Sequence, residues 1–297
     1  MRARVNGVEL FFDVHGSGLR PAGEALADKP AVIVLHGGPG LDHTSLVEWL
    51  APLTDALQLI YVDHRGHGRS ARPPLETCTL EAMADDVEAL RVHLGLTDVT
   101  LLGVSFGGMV ALTHAVRHPG GAARLVLCAT APSGEFVEAA WRRATERATP
   151  EQMVEVAHVL RGTLRDDADL REAMRVLAPL YQHAPVDEPG PADRAIVHAA
   201  MLNRFFGVDA ARYDVRDRLP GIRVPALVLT GRHDWICPPS QSAVLVEGLP
   251  DVRPVLFERS GHRLHREENA KFTRVVREFV LDAARDVALA AGARRAR

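Results

Sequence analysis

Two kinds of hydrophobic pattern alternate along the chain. Residues 31–36 (AVIVLH), 59–62, 99–102, 125–128 and 226–230 (ALVLT) are short, nearly unbroken apolar runs, as strands buried on both faces of a sheet require. Residues 252–257 add a further strand pattern. Between these runs the period lengthens. Thr79 can cap a helix whose apolar positions Leu80, Met83, Ala84, Val87, Leu90 and Leu94 share one face, with Gly95 as its stop. A helical run at 109–118 ends on Pro119-Gly120, and a last helix runs from about residue 269 beyond Val280. At the start, residues 2–5 and 8–15 flank Asn6-Gly7, which favours a tight hairpin, and a loop rich in Gly, Pro and Ala follows. Strands alternating with helices predict an α/β fold with a mostly parallel sheet flanked by helices.

From 133 to 219 the alternation stops. Helical segments at 150–164 and 195–206 appear with no buried strand among them, which predicts a helical cap at 133–219 inserted into a core made of 1–132 and 220–297. The tail, with Arg294, Arg295 and Arg297, reads as a solvated, frayed end.

Composition narrows the function classes. With 47% apolar and 25% charged residues the chain matches an ordinary folded protein. A formal charge of −3 supplies no basic field, so nucleic acid is not an expected partner. Residues 1–7 lack a signal-peptide pattern and no apolar run reaches bilayer length, so no membrane association is expected and the location reads as cytoplasmic. Cys78, Cys128 and Cys237 are too scattered for a disulfide framework or a metal site.

The chemistry concentrates in the loops after strands. Gly103-Val104-Ser105-Phe106-Gly107 fits G-x-S-x-G between a buried strand and a helix, where a sharp turn can hold a nucleophilic hydroxyl clear of the sheet. A serine hydroxyl needs a base to take its proton and a third group to orient that base. Asp234, beyond the strand at 226–230, and His262, in the loop after 252–257, follow the serine in the order acid, then histidine. Neighbouring His233 and His265 compete with His262, whose glycine partner favours it. His36-Gly37-Gly38-Pro39-Gly40 follows the first buried strand; Gly37 and Gly38, together with the N–H of Phe106, are the expected oxyanion hole, and Pro39 is expected to hold Gly38 extended. In Asp63-His64-Arg65-Gly66-His67-Gly68-Arg69-Ser70, Asp63 and Arg65 are expected to brace the oxyanion segment, with no metal bound at His64 and His67. Trp141, Leu202, Phe205, Phe206 and Trp235 are candidate substrate-binding residues.

Taken together, HGGPG, D-x-R-G-x-G-x-S, G-x-S-x-G-G, G-R-x-D and S-G-H resemble the proline iminopeptidase family of α/β-hydrolases in type, order and spacing across nearly the whole chain. The resemblance implies removal of an N-terminal residue, often proline, from a short peptide through an acyl-enzyme, with no cofactor. The cap departs from it. Where the family pattern Glu-Asn-His-Tyr-Phe supplies a carboxylate for the substrate amine, the similar stretch here is Leu202-Asn203-Arg204-Phe205-Phe206, and Phe106 stands where a tryptophan is common. Another cap carboxylate, such as Glu138 or Glu172, would have to replace the missing one. Two enzyme readings therefore stand side by side: an aminopeptidase of that family, and an esterase, lactonase or amidase acting on small uncharged acyl substrates. A non-catalytic ligand-binding protein is the third. Each takes a small-molecule or short-peptide partner, and the oligomeric state is left open.

Overall fold

The computed structural model describes residues 1–22, 25–184 and 194–295; side chains of 283–295, and with them the arginine-rich tail, lie outside the described residues. Strands β1 (Arg2–Val5) and β2 (Val8–His15) form the expected antiparallel hairpin, with Val5 opposite Val8. Asn6 and Gly7 both adopt positive φ, 47° and 75°, as a two-residue turn between twisted strands requires. A second hairpin, β3 (Leu19–Ala22) with β4 (Ala25–Asp28), occupies the stretch expected to be a loop. Its residues Leu19 and Leu26 are exposed, so no buried face imposes the alternation by which a strand is recognised.

The main sheet continues with β5 (Ala31–Leu35), β6 (Gln58–Val62), β7 (Val99–Val104), β8 (Arg124–Cys128), β9 (Ala226–Gly231) and β10 (Val252–Phe257). Its order is β1-β2-β6-β5-β7-β8-β9-β10, parallel from β6 to β10. Because strand side chains alternate, Ile33 and Leu35 of β5 enter one core while Val32 and Val34 enter the other. Helices α1 (Thr44–Leu50), α2 (Leu80–His93) and α3 (Phe106–Arg117) join these strands. Leu46 and Leu50 of α1 join the second core; Met83 and Val87 of α2 and Met109 and Val110 of α3 join the first. The chain thus changes sheet face around β5, between β6 and β7, which opens a crevice at the carboxyl edge there. Pro254 is tolerated because β10 is an edge strand, paired to β9.

Between β8 and β9 come α4 (Phe136–Arg147), α5 (Pro150–Arg161), α6 (Asp167–Leu177) and α7 (Ala199–Arg204). Among the described residues of this stretch no strand joins the main sheet. Helix α5 starts in a capping box, Thr149 with Gln152, and stops at Arg161 rather than 164 because Gly162 turns left-handed at φ 64°. The run expected to be helical from 195 becomes so only at Ala199. Before it, Ile196 N–H donates to Asp42 at 3.1 Å and His198 N–H to Gly40 O at 2.9 Å, so this backbone ties the helices to the core instead of continuing a helix. Phe205–Asp209 then form a π-helical turn. After β9 follow α8 (Pro239–Gly248), and after β10 α9 (Leu264–Glu267) and α10 (Asn269–Arg295). No helix among the described residues is long and apolar enough to cross a membrane.

Candidate active site

Ser105 is the single residue between β7 and α3, at φ 55° and ψ −118°. A residue with a Cβ rarely takes that conformation, so its neighbours must hold it. Ser105 N–H donates to Cys128 O at 2.8 Å, and Ser105 O accepts from Gly108 N at 2.8 Å and from Thr130 Oγ1 at 2.7 Å. Gly107 lets α3 meet the end of β5: a Cβ there would collide with the carbonyl of Leu35.

Asp234 follows β9 and is fully buried. Its Oδ1 accepts the N–H groups of Ile236 and Cys237 at 2.9 and 3.0 Å, leaving Oδ2 to meet His262 Nδ1 at 2.8 Å. Such a bond puts the ring proton on Nδ1 and leaves Nε2 as the acceptor. The His262 loop is braced by neighbours: His262 N–H donates to Tyr181 O at 3.0 Å, Gly261 N–H to Glu267 at 2.7 Å and Ser260 Oγ to Glu268 at 2.8 Å. Of the competing histidines, His233 stacks on His183 at 4.0 Å. His265 is buried, and burial with the charges of His262 and Arg263 pushes it down to about 3, so it stays neutral. The Cys237 thiol is a hydrogen-bond neighbour of Ser105, but burial and the Asp234 charge push it well up and keep it protonated.

Gly37 lies against the serine turn: a Cβ on it would stand 3.3 Å from Val104 O and 3.5 Å from Ser105 Cβ. Gly38 is not held in the extended form expected before proline. It takes φ 128°, before a cis bond to Pro39, a region that favours glycine. The segment's brace also differs from expectation. Arg65 turns away from it to form a two-pronged pair with Asp86 of α2, both bonds 2.6 Å, because its side chain leaves the loop toward that helix. Asp63 accepts from His43 N and Nδ1 at 3.1 and 2.6 Å and from Arg69 N at 2.8 Å. Burial alone would raise its pKa, yet the His43 bond and the nearby imidazoles bring it down to about 2. What contacts the glycines directly is His36, whose Nδ1–H donates to Gly37 O at 2.8 Å while Nε2 accepts His64 N–H at 3.3 Å. Among the described residues no group of His, Cys, Asp and Glu is arranged to hold a metal.

Ser105, His262, Gly37 and Gly38 line one cavity of about 100 Å³ beneath the helices that follow β8. Ser105 and His262 both line this space, and among the described residues no hydrogen bond joins them. Phe106 opens α3, where the first N–H groups lack partners within the helix.

Residues 30–268 match the sequence model of the alpha/beta hydrolase fold family. The chain belongs to that family. Its relatives include proline iminopeptidase PfmaB of Pestalotiopsis fici, 29% identical over 93% of this chain and 97% of that protein. Among solved structures, proline iminopeptidase of Mycobacterium smegmatis is 26% identical with a TM-score of 0.76, covering 95% of this chain and 98% of that one. The enol-lactonase of Burkholderia xenovorans LB400, also 26% identical, has a TM-score of 0.67 and covers 95% and 100%.

Of the five expected substrate-binding residues, this hydrolase turns Leu202 and Phe206 into the cavity. Trp235 is instead fully buried core, edge-on to Tyr181 at 5.4 Å. Phe205 packs edge-on against Phe106 at 5.0 Å and does not line the cavity, and Trp141 faces a separate hollow beside Arg161. Large apolar size alone does not tell a wall that faces a ligand from one that faces the core. Arg204 does not present a bare charge either: it holds Asp209 at 2.9 and 3.0 Å. Glu138 and Glu172 are exposed and paired with Arg142 and Arg175. Sequence reading missed Tyr181 and Arg263, which also line the cavity. Arg263 directly follows the S-G-H motif, and that adjacency was the available signal; Tyr181 lies in a stretch with none.

Proposed function

We propose that the protein is a serine hydrolase acting through an acyl-enzyme on small esters or lactones, with Ser105 as nucleophile, His262 as general base and Asp234 as the group that orients it. The His262–Asp234 bond, ending in a cavity that Ser105 also lines, carries the reading. Substrate binding would draw hydroxyl and imidazole together, since catalytic hydrogen bonds often tighten only in the substrate complex. His262 Nε2 then takes the Ser105 proton while Oγ bonds to the carbonyl carbon. The oxygen that gains charge would be met by N–H groups of Phe106 and of the Gly37–Gly38 segment, each such donor being worth about 3 to 4 kcal/mol. The protonated imidazole passes its proton to the leaving group as the carbon–leaving group bond breaks. Water, activated by the same nitrogen, releases the acid in the second half. The helices from 133 to 219 would act as the cap, with Leu202, Phe206, Val159 and Leu170 giving the site an apolar roof.

The choice of esters and lactones over N-terminal peptides rests on the cavity lining, which contains no carboxylate among the described residues. A substrate α-ammonium would enter a low-dielectric site without a counter-charge. The second reading, an iminopeptidase, is favoured by HGGPG and by relatives of that name. Initial rates on prolyl and alanyl anilides with free amines, on their N-acylated forms, and on short esters and lactones separate the two, with Ser105→Ala as the blank. Ester or lactone turnover above that of the free-amine anilides is expected; a free-amine preference selects the iminopeptidase.

A further inference from the structure

Among the described residues that line the cavity, one charged group is not used by the reaction scheme above. Arg263 lines the cavity beside His262 and is only 7% exposed. Its guanidinium lies over the Tyr181 ring at 5.4 Å, and Nη1 is buried without a hydrogen-bond partner. Among the described residues no ion pair joins it. Glu267, whose charge acts on Arg263, has both oxygens committed elsewhere: Oε1 accepts His183 N–H at 2.6 Å and Oε2 accepts Gly261 N–H at 2.7 Å. An unpaired guanidinium in so dry a place is unfavourable unless something anionic joins it. Burial does pull Arg263 down, to about 10, which leaves it charged at neutral pH.

The neighbours define the missing partner. Apart from Arg263, the lining is apolar side chains, Ser45, Ser105, Tyr181, two imidazoles and the glycine segment. One of the imidazoles, His265, stays neutral. A single planar, five-donor cation suits one planar monoanion, a carboxylate, better than a phosphate with its second charge. Among the described residues of the lining none carries the opposite charge, so this lining disfavours a substrate cation and attracts an anion through the same residue.

We propose that Arg263 is a specificity residue and that the acyl substrate carries a carboxylate, which the guanidinium binds while Ser105 attacks the ester or lactone carbonyl at the other end of a short chain. This deepens the serine-hydrolase reading and rests on it. It also replaces the expectation of an uncharged substrate with that of a half-ester, or a lactone bearing an acid group.

The test compares 4-nitrophenyl half-esters of succinic and glutaric acid with the same compounds capped as methyl esters. Wild type is expected to show a kcat/KM ratio, anion over capped, of roughly ten or more. Arg263→Gln should bring that ratio near one, and Arg263→Lys, which keeps the charge but loses the fork, should fall between. A wild-type ratio of one or less, or a ratio unchanged in Arg263→Gln, overturns the proposal. Binding of monomethyl glutarate and of its primary amide to Ser105→Ala, measured by calorimetry, reads the same preference without turnover. The acid should bind at least tenfold more tightly than the amide, and equal binding overturns the proposal even if Arg263→Gln does not fold. Hydrolysis of neither ester above the Ser105→Ala blank, with acid binding intact, would sink the hydrolase reading and leave the anion site standing.

Discussion

Asp234 divides its two oxygens between structure and imidazole: Oδ1 fixes the loop through Ile236 and Cys237 N–H, and Oδ2 takes His262 Nδ1–H. Asp234→Asn can keep the first role, but a side-chain amide donor at the second position would favour the wrong ring tautomer. Activity on the best ester is therefore expected to fall by about 10³ to 10⁴ in kcat, while the thermal midpoint moves little. A loss below tenfold would remove Asp234 from the scheme. All three residues of the proposed triad were readable in the sequence because a motif and a position after a strand coincided. The walls of the cavity were not. Trp235 and Leu202 are both buried and apolar, and only the direction of each backbone decides that Leu202 meets a ligand space and Trp235 meets Tyr181.

The serine turn depends on how closely β7, α3 and β5 cross. Gly107→Ala would drive a methyl into the Leu35 carbonyl, a backbone atom that cannot swing aside. Overpacking of this kind costs about 1 to 3 kcal/mol, and here it would also shift the Ser105 backbone. Chemical denaturation should show the loss of stability, and kcat should drop alongside; a variant as stable and active as wild type would mean that this crossing is looser than described. Parallel strands were legible because burial on both faces imposes unbroken apolar runs, as in β5 and β7. Short or exposed elements were not. The β3–β4 hairpin buries no face, and His43, preceding the seven-residue α1, makes no side-chain capping bond. The start of α7 was misjudged for another reason: residues 196–198 bond to Asp42 and Gly40 across the molecule, a tertiary choice that local propensity does not contain.

Across the whole molecule, folding buries imidazoles as neutral groups. Burial lowers His36, lowers His64 strongly, and brings His67 and His265 to about 3. The unfolded chain protonates these rings near pH 6.5 while the folded one keeps them neutral, so stability declines as pH falls below about 6.5. Asp63, depressed to about 2, adds a loss only at pH values below its unfolded pKa near 3.8. The urea midpoint should thus drop markedly from pH 7.5 to pH 5; an unchanged midpoint would contradict the neutral cluster. The same tertiary assembly brings Ser105, His262 and Asp234 from three distant loops to one edge of the sheet, and the functional account stands on that convergence. Reaction with a fluorophosphonate followed by peptide mass mapping tests it most directly. A single phosphonyl adduct on Ser105, formed in wild type and lost in both Ser105→Ala and His262→Ala, is the predicted result. An adduct on another residue, or labelling of Ser105 at full rate without His262, would contradict it.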